Sequence, residues 1–358
     1  MPILTAHLRP GRAALSAVTV AIVALAACGR PAPVQTIPPL GPGSPIALSV
    51  PGAQALAPAL VAQSPFVAVA FGTNDSRGAM VYLATSSDNG ATFDASQPVS
   101  DEAGSAPALI RLSLSEDSSD GDSVPAVRIA WHAAGGKTSE RVIRPWHKKP
   151  ASTTGRQAST LTRAMAACTD QGEVVLTDEH RDGAQVSVNH GLAEQTCASR
   201  APSALNDARH WAHVAWIAGA DEAAARVLYA ASSDRAWFGG AQPLVESGQR
   251  PAHLTLVTDP NDTVVATWDG DAAMARHVFL RQILPAHHGP ATMLPMTRLS
   301  GDAGGVEPVT ASITGGVIVA WREPLSGSIV LRRVGLDAIC ETAPAAPAKA
   351  AGSLASAR

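Results

Sequence analysis

Val317-Ile318-Val319-Ala320-Trp321 is a run of β-branched and small residues closed by an aromatic, and it recurs. Val67-Ala68-Val69-Ala70-Phe71, Val127-Arg128-Ile129-Ala130-Trp131, His213-Val214-Ala215-Trp216 and Val264-Val265-Ala266-Thr267-Trp268 are versions of the same module. A sixth copy, Glu173-Val174-Val175-Leu176-Thr177, keeps the run and loses the aromatic. β-Branched runs of this length read as strands. A proline-led marker precedes several of them: Pro58-Ala59-Leu60, Pro107-Ala108-Leu109, Pro202-Ser203-Ala204-Leu205, Pro251-Ala252-His253-Leu254 and Pro308-Val309. Proline suits the first residue of a strand, where no ladder N–H is missed. Successive markers lie 49, 95, 49 and 57 residues apart, and the longest interval holds the degenerate sixth copy. Six units of about 50 residues, each with room for three or four short strands, predict radial repetition. The expected fold is all-β, a six-bladed β-propeller.

A third marker names the kind of propeller. Ser86-Ser87-Asp88-Asn89-Gly90-Ala91-Thr92-Phe93 resembles the Asp-box, or BNR repeat, of sialidase-like β-propellers, with Ser86, Asp88, Gly90 and Phe93 at its defining positions. Ser187-Val188-Asn189-His190-Gly191 and Ser232-Ser233-Asp234-Arg235-Ala236 resemble weaker copies. The box reads as a turn: a short Asp or Asn side chain bonds nearby amides, glycine takes the positive φ, and the aromatic packs back between sheets. The resemblance implies a structural device on the face opposite any active site, and it covers about residues 46–340. Ile46–Val50, ahead of the first unit, has strand character and is expected to complete the last blade as its outer strand.

The 358 residues carry 27 Lys+Arg and 30 Asp+Glu, 46% hydrophobic and 16% charged. Such a chain has a core to bury, and its near-neutral charge without a basic block argues against nucleic acid as a partner. Residues 1–27 combine Arg9 and Arg12 with an apolar run from Ala13 to Ala27, too short to span a bilayer comfortably and read as an export signal. Leu25-Ala26-Ala27-Cys28-Gly29 resembles the lipobox of bacterial lipoproteins, which implies lipidation of Cys28. The expected location is the bacterial cell envelope, lipid-anchored, with Gly29 leaning by analogy toward the outer membrane. Residues 28–45 read as a Pro/Gly-rich tether and 341–358 as an Ala/Pro-rich tail. Cys168 and Cys197 bracket one repeat and form a candidate disulfide, with Cys340 as the rival partner of either.

The sialidase resemblance implies an arginine triad, a tyrosine nucleophile and acidic partners. No charged residue lies between Arg30 and Asp75, so the family's first-blade arginine motif is missing. The two tyrosines, Tyr82 and Tyr229, differ by one residue in phase relative to the Ser-Ser-Asp boxes, so they face opposite sides of their strands and read as core. Loops after the aromatic-ended strands offer Asp75, His132, Asp178, His180, Asp182, Asp269, Arg322 and Glu323 as ligand-binding candidates on one face. No cofactor or zinc spacing stands out. The expectation is a noncatalytic, lipid-anchored propeller binding a protein or glycan. Its alternatives are a sialidase-type exo-glycosidase with a diverged pocket, and a periplasmic metal-binding lipoprotein using His132 and His180.

Overall fold

The structure is a computed structural model. It describes residues 43–336 apart from 76–77, 101–106, 117–124, 133–137, 147–162, 169–173, 180–184, 189–201, 220–223, 234–237, 239, 246–247, 260–261, 273 and 287–289. Every regular element among the described residues is a strand. The first described strand is β1 (Ile46–Leu48), and a first sheet follows as β2 (Gln54–Gln63), β3 (Phe66–Asp75), β4 (Gly78–Ser86) and β5 (Gln97–Pro98). The second contains β6 (Ala108–Glu116), β7 (Pro125–His132) and β8 (Thr138–Ile143); the third contains β9 (Arg163–Cys168), β10 (Val174–Glu179) and β11 (Gln185–Val188). The fourth is β12 (Ser203–Asn206), β13 (Ala212–Ala218), β14 (Arg226–Ser232) and β15 (Gln242–Val245). The fifth is β16 (Ala252–Thr258), β17 (Val264–Ala272) and β18 (Ala275–Leu284), with β19 (Thr292–Met293) and β20 (Thr297–Arg298) both on the edge of β18. The sixth joins β21 (Val306–Ile313), β22 (Gly316–Glu323) and β23 (Ser328–Gly335) to β1.

All pairings are antiparallel, and all join chain neighbours except β18 with β20 and β1 with β23. β1 pairs with β23, Ile46 opposite Leu331, so the N-terminal strand completes the last sheet as expected. First strands of different sheets lie side by side: β2 beside β6 and β21, β12 beside β9 and β16, and β16 beside β21. Sheets stacked around shared first strands in this way have the organisation of a β-propeller.

Why the modules are apolar on both faces follows from this arrangement. The first, fifth and sixth sheets are each sandwiched between two others, so alternate side chains of one strand enter two different seams. Val67, Val69 and Phe71 pack with Ile318, Ala320 and Leu331 of the sixth sheet, while Ala68 and Ala70 join Val127, Ile129 and Trp131 of the second. Trp268 packs among Ala215, Val227 and Tyr229 of the fourth sheet, and Val265 among Val317, Val319 and Trp321 of the sixth. Trp216, Trp268 and Trp321 are essentially inaccessible to solvent, and their indole N–H groups have no partner among the described residues. Apolar volume is therefore what they supply, about 1.5–3 kcal/mol or more each for burial of a large side chain. The two tyrosines do enter different seams, Tyr82 between the first and sixth sheets and Tyr229 between the fourth and fifth.

The turn at 86–93 is built as its residue types demand. Ser86 Oγ accepts the Gly90 amide at 2.9 Å, and Asp88 Oδ1 accepts the amides of Ala91 and Thr92, each at 2.9 Å. Asn89 and Gly90 take φ of 58° and 73°, and a Cβ on Gly90 would lie 2.5 Å from Ile318 Cδ1. Asp88 is held below the usual carboxylate range: burial works the other way, and the bonds from Thr92, Ser86 and Ala91 outweigh it. Of the two weaker copies, 189–191 and 234–236 lie outside the described residues, as do Cys28, Cys197 and Cys340; Cys168 ends β9 opposite Val174.

The proline markers prove to share a phase only in part. Pro107 and Pro251 come just ahead of β6 and β16, Pro58 lies in the middle of β2, and Pro308 lies within a bulge of β21. Equal sequence intervals concealed this, because an irregular strand start tolerates proline at several places where the ladder lacks an N–H bond.

Candidate functional site

Four first strands carry the same irregularity. Ladder register shifts between Ala55 and Pro58, between Ala108 and Arg111, between Ala252 and Thr255, and between Val306 and Val309. In each case two residues oppose one on the second strand, and that one is Gly72, Trp131, Trp268 or Trp321. In three of the four, the first residue of the bulge is left-handed: Leu109 (φ 52°), His253 (φ 49°) and Glu307 (φ 57°). Non-glycine residues in this region are costly, on the order of 1 kcal/mol or more, and cluster where function over-determines the backbone.

His253 and Glu307 sit on neighbouring sheets and share one partner. Asp269, the residue after Trp268, is completely buried. Its carboxylate lies 3.0 Å from His253 Nδ1, takes a bond from Arg276 Nη2 at 2.8 Å, and accepts the Glu307 amide at 2.8 Å. Donors therefore reach it from β16, β18 and β21. Arg276 also reaches Asp271 at 3.4 Å, Asp271 pairs with Arg250, and Glu307 Oε2 accepts Arg322 Nε at 2.8 Å. Starts of first and third strands and ends of second strands meet at one end of antiparallel sheets, so these seven residues share one face. The 86–93 turn follows the end of a third strand and belongs to the other.

The electrostatics are asymmetric with depth. Asp269 has no exposed surface, whereas His253 and Arg250 are each about half exposed (51% and 52%). Burial alone would raise the Asp269 pKa, but bonds from His253, Arg276 and the Glu307 amide outweigh it and hold the carboxyl below its usual range. The bond to Asp269 raises the His253 pKa; partial burial and Arg276 oppose this, and Glu307 adds to it. A buried carboxylate thus stabilises a protonated imidazole that faces outward.

The link into this cluster has no slack. Gly305 donates its amide to the Arg276 carbonyl at 2.9 Å, and a Cβ on it would lie 2.6 Å from Trp321 Cδ1 and 3.0 Å from Val278 Cγ2. Trp321 is walled in, so Gly305→Ala is expected to destabilise the fold by about 2–3 kcal/mol, the upper end for overpacking. A urea denaturation midpoint equal to that of the wild type would contradict this.

Of the candidates named from sequence, Asp269 and Arg322 join the cluster. His132 does not: its Nδ1 lies 3.2 Å from Thr138 Oγ1 on the adjacent strand of its own sheet. Glu323 closes the β22–β23 turn, its carbonyl accepting the Gly327 amide at 3.0 Å. Asp75 ends β3 opposite Gly78, and Asp178 lies on β10 opposite Val186. His180 and Asp182 fall outside the described residues. Among the described residues no group of three His, Cys, Asp or Glu is placed to hold a metal ion. The sequence reading missed His253, Glu307, Arg250 and Arg276. One signal was available: Pro251-Ala252-His253-Leu254 aligns with Pro107-Ala108-Leu109-Ile110, placing an imidazole where its counterpart has leucine.

No protein-family model matches the chain, and no curated protein matches it. Solved structures do. An α-L-arabinofuranosidase from Podospora anserina is 9% identical over 83% of this chain and 95% of that one, with a TM-score of 0.34. An endo-arabinase from Bacteroides thetaiotaomicron is 9% identical over 79% and 94%, with a TM-score of 0.34. A thermostable family-43 glycoside hydrolase is 9% identical over 72% and 97%, with a TM-score of 0.33. The expectation of a noncatalytic scaffold is corrected here: these neighbours are enzymes that cleave glycosides, and none of the three is a sialidase. At such TM-scores the likeness argues for no particular reaction or substrate, which have to be argued from the side chains.

Proposed function

We propose that the chain is a propeller glycosidase, the alternative raised from its sequence, with a pocket diverged from that of sialidases and centred on Asp269. This reading takes the six sheets as six blades of one ring and the 86–93 turn as an Asp-box on the far face. The observation that carries it is the paired display of His253 and Glu307: two titratable residues on neighbouring sheets, each on a left-handed bulge, the first bonded to the buried Asp269 carboxylate through its imidazole and the second through its backbone amide. The left-handed bulge itself is common to these strands, since Leu109 holds the corresponding position of the second sheet with an exposed aliphatic side chain; what sets the fifth and sixth sheets apart is the imidazole and the carboxylate they carry there.

Cleaving a glycoside needs a carboxylate beside the anomeric carbon and a proton for the leaving oxygen. Glu307 supplies the first. It is partly exposed, oriented by Arg322, and placed to take a proton from an attacking water. Asp269 is too enclosed to touch a sugar and serves to hold the others in place. A panel of aryl glycosides of pentoses, hexoses and sialic acid tests the reading. Turnover of at least one member is expected, and Glu307→Gln is expected to lower kcat by about 100-fold or more while leaving the circular dichroism spectrum unchanged. Absence of turnover across the panel, or a Glu307→Gln chain of undiminished kcat, would reject it.

The lipobox motif supports placing this enzyme on the cell envelope through a lipid on Cys28. A Cys28→Ala chain should then move from the membrane fraction to the soluble one, and its retention on membranes would count against the anchor.

A further inference from the structure

Glycosidases ordinarily draw both the proton and the base from carboxyl groups. Here the carboxyl that would complete such a pair, Asp269, is buried with its oxygens engaged by three donors. The group that faces outward beside Glu307 is an imidazole. We propose that His253 is the proton donor of this site and that Asp269 is its positioning residue; this rests on the hydrolase reading above. Nδ1 of His253 points at Asp269, which leaves the Nε2 edge of the half-exposed ring toward the open side of the cluster.

The step balances without any co-reactant beyond water. The Nε2–H of the imidazolium passes its proton to the glycosidic oxygen as the bond from that oxygen to the anomeric carbon breaks. Water attacks the anomeric carbon and yields its proton to the Glu307 carboxylate. One sugar hydroxyl and one alcohol leave, and exchange with solvent returns the proton from Glu307 to His253. The charged groups facing the ring are Asp269 on β17, Glu307 on β21 and Arg276 on β18, with Arg250 on the approach to its own strand. The two acids favour the protonated ring, and Arg276 opposes them. His253 is thus kept in its donor form to a higher pH than an ordinary histidine, and the rate should fall as pH rises through its pKa.

Two measurements on the full chain test this. In NMR of imidazole-labelled protein, the resonance absent from His253→Gln should titrate above the ordinary histidine range, and its midpoint should fall in Asp269→Asn. In kinetics on whichever aryl glycoside is turned over, the alkaline limb of kcat should follow that midpoint and shift to lower pH in Asp269→Asn. His253→Gln should lose about 100-fold in kcat with KM little changed. A His253 midpoint that ignores Asp269→Asn rejects the positioning role. Wild-type turnover together with a His253→Gln chain of unchanged kcat rejects the donor and leaves the hydrolase reading intact. A wild-type chain that cleaves no glycoside rejects both.

Discussion

Exchanging Asp269 for Asn should cost about 3 kcal/mol of stability and reduce turnover by about 100-fold or more. The carboxylate is the common acceptor for His253, Arg276 and the Glu307 amide, which arrive from three strands of two sheets. An amide of the same shape turns one acceptor edge into a donor, so at least one of those partners meets a donor instead. Breaking a buried ion pair costs about 3–5 kcal/mol, and the low end applies because Arg276 and His253 can turn to water. The pH dependence has a definite sign. The folded-state pKa of Asp269 is depressed, so its contribution is present above the unfolded-state value and disappears as pH falls through the folded one. The variant should therefore lose less stability than the wild type on acidification. Urea denaturation at neutral and acidic pH would show this, and a loss under about 1 kcal/mol with unchanged kinetics would contradict it.

The second large effect is expected far from the site, at Asp207 on the turn between β12 and β13. This carboxylate is fully buried. Oδ1 accepts the amides of Arg209 and Trp211 at 2.9 and 2.8 Å, and Oδ2 accepts Arg209 Nη2 at 3.0 Å and lies 3.3 Å from His213 Nε2. The other nitrogen of His213 is 2.7 Å from the Tyr229 hydroxyl, so a line of polar groups runs through the core of the fourth sheet. Burial pushes the Tyr229 pKa well up, and Asp207 adds to it. Asp207→Ala leaves His213 and two amides without their acceptor and should cost about 3–5 kcal/mol. Burial opposes ionisation of Asp207, yet bonds from His213, Trp211 and Arg209 hold its pKa at about 2 against an ordinary 3.8. The wild type should accordingly lose about 2 kcal/mol as pH falls from about 4 to about 2, a loss the Ala variant lacks. Parallel pH–stability curves for the two chains would refute this.

Strand identity was written in the sequence because the constraint was local. Val67–Phe71 and Val317–Trp321 are buried on both faces, so every position had to be small or apolar; Trp321 stands opposite the bulge of its sheet, and Phe71 one residue before the glycine that does so in the first. Pairing of β1 with the last sheet was legible for a related reason, a strand-like segment with no partner in its own unit. The site was legible only in part. Asp269 and Arg322 follow tryptophans and could be placed by counting, but they lie within strands that run on past the aromatic and not in loops. His253 and Glu307 were hidden because a bulge is a property of two strands, and one strand's residues do not display it. Their partnership through Asp269 joins sequence positions 253, 269 and 307, which no short motif spans.

The pairing of Ile46–Leu48 with Ile329–Leu331 has a consequence for biosynthesis. The sixth sheet joins residues 46–48 to strands between residues 306 and 335, so it cannot be assembled until residue 335 has left the ribosome. A chain interrupted before residue 306 would display β1 and the flank of the first sheet without their partners, an adhesive surface for other unfinished copies. Delayed closure of this kind makes production of the molecule all-or-none: fragments lacking the last 30 or so described residues should be insoluble, while β1 acts as a latch that engages only in a completed molecule.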